Sequence, residues 1–275
     1  MLSDKVQSIL VSVEKLRPMP SNVTRILKEI DDPNITLTIV SEYIGLDQAL
    51  AALVLQMSNS VALGYGRTCS NLREAVMRIG LKRLKSLLLA SAAAGPLNKS
   101  LAGYRLGGGD LWNHALSVAI ASELLAKMVS YRDSEEAYVS GLLHDIGKLL
   151  LDQYVLTDYS KIVTYIQQYK MPLWEAEEKL IGIDHARVGG LICERWQFPT
   201  VLVDAIRYHH YPTMAGANPH LPAIVNLGNA IVSQHSDNNS GLFSTDIHPD
   251  TLNILHILPE HLETMREKLL NKMYG

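Results

Sequence analysis

The chain has 275 residues, of which 47% are hydrophobic and 19% charged, with a formal net charge of -3. That composition fills a substantial core in one large domain or two ordinary ones, and it excludes a disordered chain. The mildly acidic balance gives no electrostatic basis for general nucleic-acid binding. The two cysteines, Cys69 and Cys193, are too few and too far apart for a disulfide framework.

The opening MLSDKVQSIL has no basic segment followed by an apolar one, so no signal peptide is expected and the chain reads as cytoplasmic. The longest apolar stretches, such as Leu87 to Pro96, are too short to span a bilayer, so no membrane segment is expected. Periodicity is helical nearly throughout. Val23, Ile26, Leu27 and Ile30 share one helical face, with Ser21 or Asn22 placed to cap it. Thr36–Ile44, Asp47–Met57, Asn71–Ile79 and Leu81–Ala94 predict four more helices, punctuated by Gly64, Gly66 and Gly80. Gly-rich LNKSLAGYRLGGGD, Leu97 to Asp110, reads as a boundary. Beyond it, Asp110 is expected to cap a long helix to Met128, and a helix is expected from Ser134 to about Tyr154. Further helices are predicted at Asp158–Tyr169, Leu173–Ile181, Ala186–Trp196, Thr200–Tyr208, Leu221–His235 and Leu258–Lys272, with a loop at NNSG, Asn238 to Gly241. The expected architecture is all-α: an N-terminal array of short helices over residues 1–100, a second helical domain over 101–240, and a C-terminal loop and helix over 241–275.

One stretch breaks the apolar pattern with chemistry. GLLHDIGKLLL, Gly141 to Leu151, sets His144, Asp145 and Lys148 among leucines. On a continuous helix, Gly141, Asp145, Lys148 and Asp152 share one face, and Gly141 leaves space beside the carboxylate. Burying an imidazole and a carboxylate is costly without partners. Four other histidines lie in apolar helical settings: His114, His185, His209 and His210. Histidine nitrogen and carboxylate oxygen are ligands for Fe, Mn, Zn or Ni, so the set points to one or two divalent transition metal ions. Each residue alone has a plainer reading. His114 could be a hydrogen-bonded core histidine, His209 and His210 helix C-terminal caps, and Lys148 a snorkelling surface lysine. Arg78, Lys82, Arg83 and Lys85 make a basic patch on one helix, read as a solvated face.

In the order His114, His144-Asp145 with Lys148, His185, and His209-His210, these residues resemble the HD superfamily of metal-dependent phosphohydrolases. The resemblance implies one metal on His114, His144 and Asp145, and a second on Asp145, His185, His209 and His210, with Asp145 bridging. Lys148 would face the substrate phosphate, making Asp145 and Lys148 the catalytic pair. The branch of the superfamily that cleaves cyclic dinucleotides continues its histidine pair into Gly-Tyr-Pro, whereas this chain reads HHYPTMAGANPH. Asn229 stands where the superfamily expects a distal aspartate. A closer resemblance, from about residue 16 to 235, is to the HDOD family of bacterial signalling output domains. It is carried by LRPMPSNVTRILKEI, ALAALVLQMSNSVALG, LREAVMRIGLKRLKSLLL, LWNHALSVAIASELLA, AYVSGLLHDIGKLLL and ICERWQFPTVLVDAIRYHHYP.

Three functions compete. The first is a signalling output or adaptor protein with a protein partner and no turnover. The second is a phosphohydrolase acting on a nucleotide or other phosphoester, using metal-activated water. The third is a metal-based sensor.

Overall fold

The computed structural model describes residues 4–16, 18–30, 32–59, 68–235, 243 and 245–274. The expected punctuation at Gly64 and Gly66 and the expected NNSG loop lie outside them. The fold is all-α, with no strand among the described residues beyond an isolated antiparallel bridge between Leu101 and Leu106. No helix among them is long and apolar enough to cross a membrane. The chain forms two compact units, residues 17–94 and residues 1–16 with 95–275.

The smaller unit contains α2 (Ser21–Ile30), α3 (Leu37–Gly45), α4 (Gln48–Ser58) and α5 (Leu72–Ile79). Thr36 caps α3 by accepting from the Ile39 N–H, and Asn71 caps α5 by accepting from the Glu74 N–H. Val23, Ile26, Val40, Ile44, Val54, Ala75 and Val76 form its buried face. Arg78, expected on a solvated face, is instead 8% exposed and paired with Glu74 at 2.6 Å. The i, i+4 spacing on α5 makes that pairing available. α6 (Leu81–Leu97) runs past its expected end at Ala94 and includes Pro96.

The larger unit begins with α1 (Asp4–Glu14), which the sequence grouped with the N-terminal array. It packs on α9 and α11 of its own unit, burying Val6, Ile9 and Val13, and Lys5 pairs with Asp158. The rest of the unit is α7 (Asp110–Met128), α8 (Ser134–Leu143), α9 (Lys148–Tyr169), α10 (Leu173–Ile181), α11 (His185–Arg195), α12 (Thr200–Arg207), α13 (His220–His235), α14 (Thr251–Ile254) and α15 (Leu262–Tyr274). α7, α8, α12 and α13 pack on one another around a core that includes Leu111, Val118, Leu125, Leu142, Ile206 and Ile224. Asp110 opens α7 without capping it, since its carboxylate accepts from the Gly107 N–H at 2.7 Å. Asp133, one residue before the expected start, caps α8.

The largest departure from the sequence reading is at the motif itself. No continuous helix crosses residues 134–154. α8 stops at Leu143, His144 to Gly147 form a turn, and α9 starts at Lys148 and continues to Tyr169 with a kink at Asp158. Gly141 leaves no space for an ion. A Cβ there would lie 2.8 Å from both Ser122 Oγ and the Val118 carbonyl, so its role is to let α7 and α8 touch. Gly147 serves the same purpose for α11. A Cβ there would fall 1.9 Å from the His185 carbonyl oxygen.

Candidate metal centre

The break in the motif helix is what makes the site. It turns the His144 and Asp145 side chains out of the α8 register and toward three other elements. His114 comes from the first turns of α7, His185 is the first residue of α11, and His209 and His210 follow the end of α12. Asp184 fixes the start of α11 by accepting from the Arg187 N–H at 2.8 Å. All six residues, with Lys148, are at most 7% exposed.

Two sets of three converge: His114, His144 and Asp145, and His185, His209 and His210. In each set the candidate ligand atoms lie within 4.8 Å of one another. Asp145 faces both. Its Oδ2 lies 3.3 Å from His144 Nε2 and 3.7 Å from His114 Nε2, and its Oδ1 lies 3.2 Å from His185 Nε2. His185 Nε2 and His210 Nε2 are 3.0 Å apart.

Hydrogen bonds behind the rings set their tautomers. His144 Nδ1 donates to the Gly141 carbonyl at 2.7 Å, His209 Nδ1 to the Ile206 carbonyl at 2.8 Å, and His185 Nδ1 to Glu177 Oε2 at 2.6 Å. Each of these bonds turns the far nitrogen, Nε2, inward. His114 Nε2, His144 Nε2, His209 Nε2 and Asp145 Oδ1 are buried with no hydrogen-bond partner. Facing acceptors buried without donors are unfavourable unless a cation sits among them. The nitrogen and carboxylate donor set is one that divalent transition metals take, so the residues fit such an ion.

The electrostatics agree. Burial drives His114 down to about 3 and holds His209 and His210 well below the usual imidazole range, so all three are neutral donors. His185 goes the other way. Burial opposes its charging, but the Glu177 carboxylate, the Asp145 carboxylate 3.2 Å from its Nε2 and the hydrogen bond to Glu177 outweigh burial and raise it to about 9. Burial also works against ionising Asp145, yet His144 and Lys148 hold its carboxyl well below the carboxylate range.

Lys148, expected to face a substrate phosphate, is occupied. Its Nζ bonds Asp145 Oδ2 at 2.8 Å and lies 4.7 Å from the Phe243 ring centre and 5.7 Å from that of Tyr104. Asn229 stands beside the first set, within hydrogen-bonding reach of His114, but its Oδ1 accepts from the Ser233 hydroxyl at 3.1 Å. The oxygen that would serve as a weak ligand is turned to Ser233.

Three participants escaped the sequence reading. Glu177 accepts from both His185 Nδ1 and the His185 N–H, and its other oxygen accepts from the Tyr104 hydroxyl at 2.7 Å. Its signal was its register, since Glu177 shares the apolar face of α10 with Trp174 and Ile181 while Glu175 and Glu178 do not. Tyr104 belongs to the 101–106 loop, which Asp152 Oδ1 pins by accepting from the Gly103 N–H at 2.8 Å. Phe243 stacks on His114 with ring centres 3.9 Å apart, and nothing in the sequence marks it.

The HDOD domain model matches residues 16–212. An uncharacterized protein of Treponema pallidum (strain Nichols) is 28% identical over 204 residues, which are 74% of this chain, and the chain spans 39% of that protein's length. Among solved structures, a protein of Shewanella amazonensis SB2B named "Putative phosphohydrolase" is 27% identical, with a TM-score of 0.72 over 98% of this chain and 94% of that one. A Geobacter sulfurreducens HDOD domain protein with unknown function shares the fold at 24% identity, with a TM-score of 0.68 over 98% and 99% of the two chains. The family model covers well over half of the sequence, and this chain belongs to the HDOD family.

Proposed function

We propose that the chain is a signalling output module that acts through a protein partner, with its His/Asp cluster holding a divalent metal as a fixed part of the fold rather than for turnover. The burial of Lys148 carries this reading. The phosphohydrolase reading assigns Lys148 to the substrate phosphate, whereas Lys148 is 1% exposed, paired with Asp145 and covered by Phe243. In this reading His114, His144 and Asp145 hold one ion, and Asp145, His185, His209 and His210 hold a second. The partner meets the outside of the module.

The second reading, a metal-dependent phosphohydrolase, is favoured by the placement of one Asp145 oxygen toward each histidine set. A divalent metal supplies Lewis acidity to such a reaction. Asp145 would orient both sets, and Lys148 would neutralise phosphate charge after leaving Asp145.

The test is metal content by mass spectrometry beside turnover of a phosphoester panel, on untagged protein and on Asp145→Ala. Bound metal without turnover is the expected result. Hydrolysis that Asp145→Ala abolishes would overturn the signalling reading in favour of the second.

A further inference from the structure

A cavity of the larger unit, of about 570 Å³, lies away from the His/Asp cluster. Its walls are the chain leaving α7 (Val129 to Arg132), the residues just before α13 with its first residue (Ala217, Asn218, His220), and the end of α14 (Leu255, His256). Val129 follows His114 by fifteen residues along α7, so the two places are ~22 Å apart.

The lining has one electrostatic sense. Arg132, His220 and His256 reach it from three separate segments, and none of the described lining residues is acidic, in a chain whose net charge is -3. Arg132 is cationic at every physiological pH, and the imidazoles donate in either charge state. All three are exposed at the cavity rim, with the rings of His220 and His256 centred 6.2 Å apart. Buried Leu255 supplies an apolar floor, and half-buried Val129 and exposed Ala217 add apolar wall.

The walls are held in place. The Tyr131 hydroxyl accepts from Asn218 Nδ2 at 3.0 Å and donates to Glu136 at 3.1 Å, which ties the end of α7 to the segment before α13. Ser130 and His256 both carry left-handed backbone, at φ 56° and 53°. Each follows a helix end closed by a bond from the next residue: Tyr131 N–H to the Ala126 carbonyl, and Ile257 N–H to the Leu252 carbonyl. Glycine is the usual residue there, since it avoids the Cβ clash. Two non-glycine residues at such positions place local strain on the cavity wall.

We propose that this cavity binds a small organic phosphomonoester, with Arg132, His220 and His256 taking its phosphate. One arginine fork satisfies a single carboxylate. Three cationic or donor groups from three segments suit a dianion with three terminal oxygens. The volume exceeds what phosphate alone fills, and the apolar floor accommodates an organic body.

Phenyl phosphate is the probe, titrated calorimetrically into the full chain, with inorganic phosphate as the comparison. Saturable binding is expected. Arg132→Ala and the double variant His220→Ala/His256→Ala should each weaken it roughly tenfold or more, the loss of a charge-assisted pair. These residues are exposed, so the variants keep the fold. Asp145→Ala should leave phenyl phosphate binding unchanged. Binding that Asp145→Ala removes and Arg132→Ala spares belongs to the His/Asp cluster and overturns the proposal. So does an absence of saturation, or inorganic phosphate binding as tightly as phenyl phosphate.

Discussion

Glu177 holds His185 at two points, accepting from its backbone N–H at 2.9 Å and from its Nδ1 at 2.6 Å. One buried carboxylate therefore fixes both the start of α11 and the tautomer of the ring. Glu177→Gln keeps the volume but can present an amide N–H where an acceptor is needed. Metal affinity should fall 10- to 100-fold, the usual effect of losing an outer partner of a ligand histidine. Equilibrium dialysis against zinc, beside the wild-type chain, checks it.

Gly147→Ala tests the packing that delivers His185. The added Cβ would meet backbone atoms, 1.9 Å from the His185 carbonyl and 2.7 Å from the Gly189 nitrogen, neither of which can rotate away. A loss of about 1–3 kcal/mol or more is expected, as for overpacked cores. Urea unfolding measures it, and metal binding should weaken with it because α11 is displaced.

Asp158 gives a pH signature remote from the His/Asp cluster. Hydrogen bonds from Lys5 and Lys161 hold its carboxyl below the ordinary value of 3.8. The unfolded chain then binds the proton more readily than the folded one, so Asp158 stabilises the fold above 3.8 and that contribution is lost as the pH falls through the lower folded value. In Asp158→Asn this part of the acid dependence should vanish. Urea midpoints from about pH 6 to about pH 3 for the two proteins compare the slopes.

Phe243→Ala removes the ring over His114 and Lys148. Stripping of bound metal by a chelator should become faster by tenfold or more if the ring limits access. Equal stripping rates in the two proteins would show that the way in lies elsewhere.

Much of this was legible in the chain. The helices of α10 to α13 follow their apolar spacing closely, and the six ligand candidates stand out because imidazoles and a carboxylate among leucines require partners. The break at His144 to Gly147 was not legible. The residues around it continue the apolar pattern, and the approach of α11 that requires glycine at 147 is visible only in the fold. Gly141 was misread for a related reason: a missing side chain looks like space until α7 is seen to fill it. Lys148 has the composition of a phosphate contact, but its pairing with Asp145 is decided by tertiary geometry.

The larger unit is discontinuous in sequence, built from residues 1–16 and 95–275 around an insert. During synthesis, α1 emerges before the helices it packs on, α9 and α11, which are encoded about 150 residues later. At roughly 5–20 residues per second, its apolar face waits on the order of ten seconds or more for a partner. Residues 17–94 complete their own contacts well before that, so the insert is positioned to fold on the ribosome while the unit that surrounds it in sequence is still open.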